Sequence, residues 1–440
     1  METQIEKDVV RKLYWRIVYF CCLLFFFNYI DRVNIGFAAL KMNEDLKFSA
    51  AAYGFGAGIF FISYALLEVP SNLVLHRVGP RLWLARIMVT WGIISSCFAF
   101  VQTEMQFYVL RFLLGAAEAG FVPGIVLYFT YWFPNAHRGK AFAAFFSAAQ
   151  LSSIIGAPLS GWLIQSMAGV HGFSGWQWMF IIEGLPSVAL GVAILFILSD
   201  RPQQARWLSE REKTWLVETI EAERRANPAV AHGSIGQFLR DRRVLALAAI
   251  YFFYAVSVYG VLFWLPLIIK GFGDLTPLQI GFLTSLPYIC AFAAVLLVAR
   301  HSDRTGERKY HVAFSALLGG VALFGSALAG SPVLAFILLC VAAIGIWGQN
   351  GVFWTLPTSY LVGASAAGGI AFINSVAQFG GFLGPYMVGW VRDTTGSFSG
   401  ALMVLACASF MVTVIAASLR IEPQGKAEAN IPSGVMPKRV

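Results

Sequence analysis

Apolar residues in this chain come in long runs rather than in strict alternation. Runs of about 20 apolar residues are the length a helix needs to cross a bilayer. They predict helices over 17–39, 52–75, 83–102, 106–129, 139–167, 177–199, 244–269, 277–299, 311–330, 333–357, 366–391 and 399–419. The alternating ten-residue pattern of a transmembrane barrel is absent, so helices are the spanning element. One long polar stretch, 200–243, interrupts the series, and its run from Ser209 to about Arg225 predicts a solvated amphipathic helix. The expected fold is therefore an all-α membrane protein of 12 transmembrane helices. Residues 1–199 form a six-helix bundle, 200–243 a linker, 244–420 a second six-helix bundle and 421–440 a tail.

The basic residues orient this array. Lys and Arg concentrate before the first run, in 200–243, after the twelfth run and in the loops following the second, fourth and eighth runs. The opposite side carries only Lys41, Lys47, Lys270 and Arg392. By the positive-inside rule both termini are expected in the cytoplasm, in a bacterial inner membrane. The net charge of +9 is then a topology signal and not a nucleic-acid patch. With 58% hydrophobic and 12% charged residues and a mean hydropathy of +0.69, the chain lies far from the roughly 25% charge of soluble proteins. No cleavable signal peptide is expected, because the run from Ile17 to Leu40 is longer than a signal core. The six cysteines form no CxxC pair and the histidines lack metal-ligand spacing. No HExxH, GxSxG or nucleotide-binding loop occurs. No catalytic residue, metal or organic cofactor is expected, and an enzyme is the weakest reading.

Charge inside the apolar runs carries the functional signal. Asp31 and Arg32 lie in the first run, and Arg111 and Glu118 in the fourth. A charge at the bilayer centre costs about 2.5–3.5 kcal/mol on insertion scales, so such residues are rare and functional by default. Arg111 and Glu118 are seven residues apart and share a helix face. Arginines offer paired donors to a carboxylate. An anion arriving at them would weaken their hold on nearby carboxylates and favour protonation, which couples anion and proton reciprocally. Read as packing alone, an Arg–Glu pair would simply knit two helices. Glu68 and Glu183 also lie near apolar runs; Glu68 reads as a structural or gating group and Glu183 as a structural one.

The two halves repeat a basic turn. His76-Arg77-Val78-Gly79-Pro80-Arg81 follows the second run and Asp303-Arg304-Thr305-Gly306-Glu307-Arg308 the eighth. These turns resemble the loop motif of the major facilitator superfamily, G-x-x-x-D-R-x-G-R-R. The departures are Asn72 and His76 in the first copy and Ala299 in the second. The resemblance implies a cytoplasmic gate built on Arg77, Gly79, Arg81, Asp303, Arg304 and Gly306. His76 puts an ordinary acidic clamp in doubt for the first half.

A narrower resemblance covers nearly the whole chain. The runs Asn28–Gly36, Arg111–Gly120, Trp132-Phe133-Pro134 and Phe353–Pro357 are similar to the anion:cation symporter family, which includes carriers of sugar acids, tartrate, phthalate and hydroxyphenylacetate. It implies proton coupling at Asp31 and Glu118 and anion binding at Arg32 and Arg111. It further implies a pocket lined by Tyr29, Tyr64, Gln150, Trp354 and Asn374. A seventh-helix amide of the sugar-acid carriers falls here on Tyr251, implying different hydroxyl recognition. Among neutral groups, Gln349, Asn350, Thr355 and Gln378 join Asn374 in the second half, as ligand contacts or as helix glue. The expected function is proton-coupled uptake of a small organic anion, a hydroxylated carboxylate such as tartrate or a sugar acid, by a monomer in the bilayer. Exchange or export of such an anion is the nearest alternative, and a non-transporting anion sensor a further one.

Overall fold

The computed structural model describes residues 4–226, 241–360 and 364–419, and all secondary structure among them is helical. Expectations that fall on 227–240 and on the tail from Arg420 onward lie outside the described residues. The first half contains α1 (Gln4–Leu13), α2 (Tyr19–Asp45), α3 (Ala50–Val78), α4 (Pro80–Cys97), α5 (Glu104–Glu118), α6 (Phe121–Trp132), α7 (Asn135–Ser166) and α8 (Gly175–Ile197). After α9 (Glu210–Ala226) come α10 (Arg242–Lys270), α11 (Pro277–Thr305), α12 (Lys309–Leu328), α13 (Pro332–Gly348), α14 (Asn350–Phe353), α15 (Thr355–Tyr360), α16 (Ala364–Thr395) and α17 (Phe398–Ser418). Eleven segments among the described residues are long and apolar enough to cross a membrane. The 32-residue α16 packs between α3 and α10 beside them.

Two expected spans are broken. The run 106–129 is not one helix: α5 stops at Glu118, and Gly120 takes a left-handed φ of +88°. A Cβ on Gly120 would stand 2.4 Å from Ser71 Oγ, so both conformation and space select glycine there. The run 333–357 likewise divides into α13, α14 and α15. The first span is longer than expected, because α1 and a π-helical turn, Tyr14–Val18, continue directly into α2.

Helices up to α8 pack mainly on one another, as do those from α10 onward, and the two groups meet along α3–α16, α7–α11 and α2–α10. Small residues bring these pairs close, as membrane packing favours. A Cβ on Gly54 would stand 2.4 Å from the Pro385 carbonyl, and one on Gly161 2.3 Å from that of Pro277. The contact is tight at one end. Asp393 at the end of α16 accepts from the free amides of Ala50 (3.0 Å) and Ala51 (2.7 Å) at the start of α3. Lys270 donates to the Leu40 carbonyl at 2.8 Å and pairs with Glu44. Toward the basic end α3 loses cover: Leu66, Val69 and Leu73 are exposed, whereas most of Ala50–Tyr64 is buried. At that basic end α9 docks on the first half. Lys12 pairs with Glu212 at 2.7 Å, and Glu223 accepts from the Asn135 amide at the start of α7 at 3.0 Å.

Candidate functional site

The break after Glu118 sets the site. Glu118 is the last residue of α5 and is 2% exposed, so its carboxyl is shut off from water at the helix end. Arg32 of α2 compensates by donating from Nη2 to Glu118 Oε1. Around that guanidinium stand the rings of Phe60 (5.3 Å to the centroid), Tyr64 (5.6 Å) and Tyr29 (6.0 Å). From the other half, Tyr259 of α10 stands beside Arg32 and packs on Phe61 with ring centroids 4.3 Å apart. Sequence reasoning missed Tyr259. Its signal was a phenol inside an apolar run, no different in the sequence from the neighbouring tyrosines.

Arg111 is 1% exposed and does not contact Glu118 as an ion pair. Its Nε and Nη2 donate to the carbonyls of Gly56 (3.2 Å) and Ala57 (2.9 Å) on α3. Its guanidinium carbon lies 5.0 Å from the Phe60 ring centroid and 5.7 Å from that of Phe263. Phe60 thus stands between the two arginines, and each retains donors beyond those bonds.

Asp31 does not join this group. Neighbouring helical positions differ by about 100°, so Asp31 turns away from Arg32 into the first half. There it is 2% exposed and accepts from Trp91 Nε1 (2.7 Å), Ser95 Oγ (2.8 Å) and Ser187 Oγ (3.0 Å).

From the second half, Tyr251 stacks on Phe353 at 4.8 Å and meets Trp354 edge-on at 4.7 Å. Asn374 Nδ2 donates across the interface to Glu68 Oε1 at 3.3 Å. Glu68 therefore contacts an expected pocket residue. Gln150 is half-buried on α7, two residues before Ser152, whose hydroxyl donates to the Phe26 carbonyl of α2 at 2.7 Å. Gln349 is buried, and Asn350 Oδ1 is buried without a hydrogen-bond partner.

The two basic turns are held differently. Gly79 has φ +100°, and the Arg81 amide donates to Asp200 Oδ1 at 2.8 Å, so Asp200 supplies the acid that His76 replaces in the motif. Arg77 is exposed at the end of α3. Asp303 pairs with Arg308 at 2.6 Å inside its own turn, Gly306 ends α11 with φ +68°, and Arg304 is exposed.

The Major Facilitator Superfamily description matches residues 21–385 and, in a second match, 273–439. The chain belongs to the Major Facilitator Superfamily. This carrier is 51% identical over 429 residues to a protein of Agrobacterium vitis named "Putative tartrate transporter", spanning 97% of this chain and 98% of that one. It is 42% identical over 401 residues to the "Quinolone resistance transporter" of Acinetobacter baumannii, covering 91% and 92% of the two chains. With the "Inner membrane transport protein RhmT" of Escherichia coli the identity is 39% over 425 residues, covering 96% and 97%. The same fold occurs in the xylose transporter XylE of E. coli in a partially occluded, inward-open conformation, with a TM-score of 0.72 at 14% identity over 94% of this chain and 99% of that one. A bacterial homologue of the human lysosomal transporter Spinster, inward-facing and occupied, gives a TM-score of 0.72 at 15% identity over 91% and 95%. The carrier is thus a multi-pass membrane transporter of a small molecule, and not an enzyme.

Proposed function

We propose that this carrier is a proton-coupled symporter of the anion:cation symporter type that takes up a small hydroxylated carboxylate, of which tartrate is the leading candidate. The Arg32–Glu118 pair, held between the halves beside Tyr259, is the observation that carries the reading. A substrate carboxylate competing for Arg32 releases Glu118 from its ion pair, which couples anion binding to the acid assigned here to proton exchange. Phe60 and Arg111 extend the cationic surface, and Tyr29, Tyr64, Trp354, Gln150 and Asn374 frame the pocket. Asp31 is the second proton-coupling acid. The A. vitis relative's name supports the substrate class.

In this reading 12 helices span a bacterial inner membrane with both termini in the cytoplasm, and the basic turns form the cytoplasmic gate. The tight Asp393–Ala50 end then faces outward, and the protein stands open toward the cytoplasm. Each chain carries a whole site, so a monomer suffices. Purified carrier in proteoliposomes tests the reading: an inwardly directed pH gradient should drive accumulation of labelled tartrate or of an aldonate above its equilibrium level. Flux that ignores the pH gradient but requires an anion on the opposite side would replace symport with exchange. Export is the second reading, favoured by the name of the A. baumannii relative. Specific binding without flux would leave an anion sensor.

A further inference from the structure

A second carboxyl lies buried near Asp31. Glu183 of α8 is 2% exposed, with Oε1 accepting from Ser160 Oγ of α7 at 2.7 Å and Oε2 unpartnered. Among the described residues no Lys, Arg or His forms an ion pair with Glu183 or with Asp31. Beside Glu183, Asn34 of α2 is 1% exposed with both amide atoms lacking a hydrogen-bond partner. Asn34 lies one turn beyond Asp31 on α2, and Ser187 one turn beyond Glu183 on α8. Ser187 donates to Asp31, so the two acids share one polar seam. Asn34 and Ser160 also line a small void of about 10 Å³, close to the least volume that holds one water.

Helix glue does not explain a carboxyl here. A glutamine would serve Ser160 equally, without the risk of a buried charge. Hydrogen-bond accounting accommodates both charge states: a protonated Oε2 would donate to Asn34 Oδ1 and an ionised one would accept from Asn34 Nδ2, both of which stand unpartnered, so a proton can be taken up and released there without orphaning the carboxyl. Two carboxylates on one seam with no paired cation repel, so a change of charge on one acts on the other. The titratable group facing Glu183 from α2 is Asp31; α7 offers Ser160 and α4 offers Ser96, against which Gly184 packs. Trp176, seven residues before Glu183, donates to Asp45 at the end of α2, so Glu183 lies on the Asp45 side of Asp31.

We propose that Glu183 is a third proton-exchanging carboxyl of this carrier, coupled to Asp31 across the Ser187–Asn34 seam and positioned between Asp31 and the outer end of the first bundle. Glu183 binds its proton from the outer side and releases it during the cycle. Asp31 is the neighbour whose charge sets the release. The inference rests on the proton-symport reading.

The test uses full-length carrier in proteoliposomes, with Glu183→Gln, Glu183→Asp and wild type assayed for accumulation driven by a pH gradient and for counterflow at matched pH. Glu183→Gln is expected to lower pH-driven accumulation at least tenfold, to lower counterflow less than threefold, and to remove one ionisation from the pH profile. Glu183→Asp should restore accumulation in part with a displaced profile. Undiminished accumulation with an unchanged profile in Glu183→Gln would overturn the proposal. So would an equal loss of both fluxes in a variant of wild-type thermal stability, which marks a packing role. If wild type shows counterflow but no pH-driven accumulation, symport itself fails and this inference falls with it.

Discussion

Arg32 donates to Glu118 across 86 residues of chain, joining α2 to the broken end of α5. The pair is buried, with Arg32 at 11% and Glu118 at 2% side-chain exposure. Removing one member of a buried pair leaves the other charge uncompensated and costs about 3–5 kcal/mol. Arg32→Ala should therefore lower the thermal midpoint, and the Arg32→Gln/Glu118→Gln double variant should regain much of the loss without regaining transport. Thermal unfolding in detergent and tartrate counterflow measure the two effects. For Glu118→Gln alone, pH-driven accumulation should fall more than counterflow. Equal accumulation with wild type would remove Glu118 from coupling.

Arg111 adds a packing role, through its bonds to α3, to the anion-binding role proposed for it, which separates it from Arg32. Lysine has no planar fork to reach the carbonyls of Gly56 and Ala57 together. Arg111→Lys should weaken anion binding at least tenfold and lower stability, whereas a site that used only its charge would bind as before. Equilibrium binding of labelled substrate, with thermal unfolding in parallel, gives the answer.

Asp393 caps α3 from α16 through two amides, so opening at that end breaks both bonds. Hydrogen bonds to a charged acceptor contribute about 1.5–3 kcal/mol each, and 1.4 kcal/mol is a tenfold change in an equilibrium. Asp393→Ala should shift the population at least tenfold toward the state open at this end. Spin-label distances between positions 47 and 396 should lengthen; an unchanged distribution would show that the glycine contacts alone hold the closure.

Gly120 combines φ +88° with close approach to Ser71. Gly120→Ala should cost at least about 1–2 kcal/mol from the left-handed conformation alone. It should also displace Glu118 two residues away, so substrate affinity should drop with stability. Ser71→Ala/Gly120→Ala would recover part of the packing loss but not the conformational one.

The dock of α9 is sensitive to acid. Burial pushes the Glu212 carboxyl up, but hydrogen bonds from Lys12 and Ser209 outweigh it and hold it below the ordinary carboxylate range. A depressed value means that ionised Glu212 stabilises the dock above about pH 4.3, and that this contribution is lost as pH falls through the depressed value. Exchange of the Glu210–Ala226 amides, corrected for intrinsic rate, should accelerate in that acid window and lose its pH dependence in Glu212→Gln.

Much of the architecture is legible in the sequence. Apolar run length dictates helices because lipid satisfies no backbone group, and the buried charges of Arg32, Arg111 and Glu118 announced themselves by their cost. Other features needed three dimensions. The seven-residue spacing of Arg111 and Glu118 predicted one face, yet a single left-handed glycine two residues later left Glu118 at a helix end, facing another helix's arginine. Asp31 and Arg32 are adjacent in the chain, but helical rotation sends them to separate environments. Glu68, Glu183 and Asp200 were ordinary acids in the sequence. Their partners lie on other helices at Asn374, Ser160 and the Arg81 amide.

The sequence by itself determined which segments are helical, where charge is confined and which arginines and acids must be buried. Those follow from transfer cost, a property of each residue and its neighbours in the chain. The tertiary structure alone decided which charges meet, because pairing depends on helix rotation, on the break after Glu118 and on the close approach that glycines allow between the two halves.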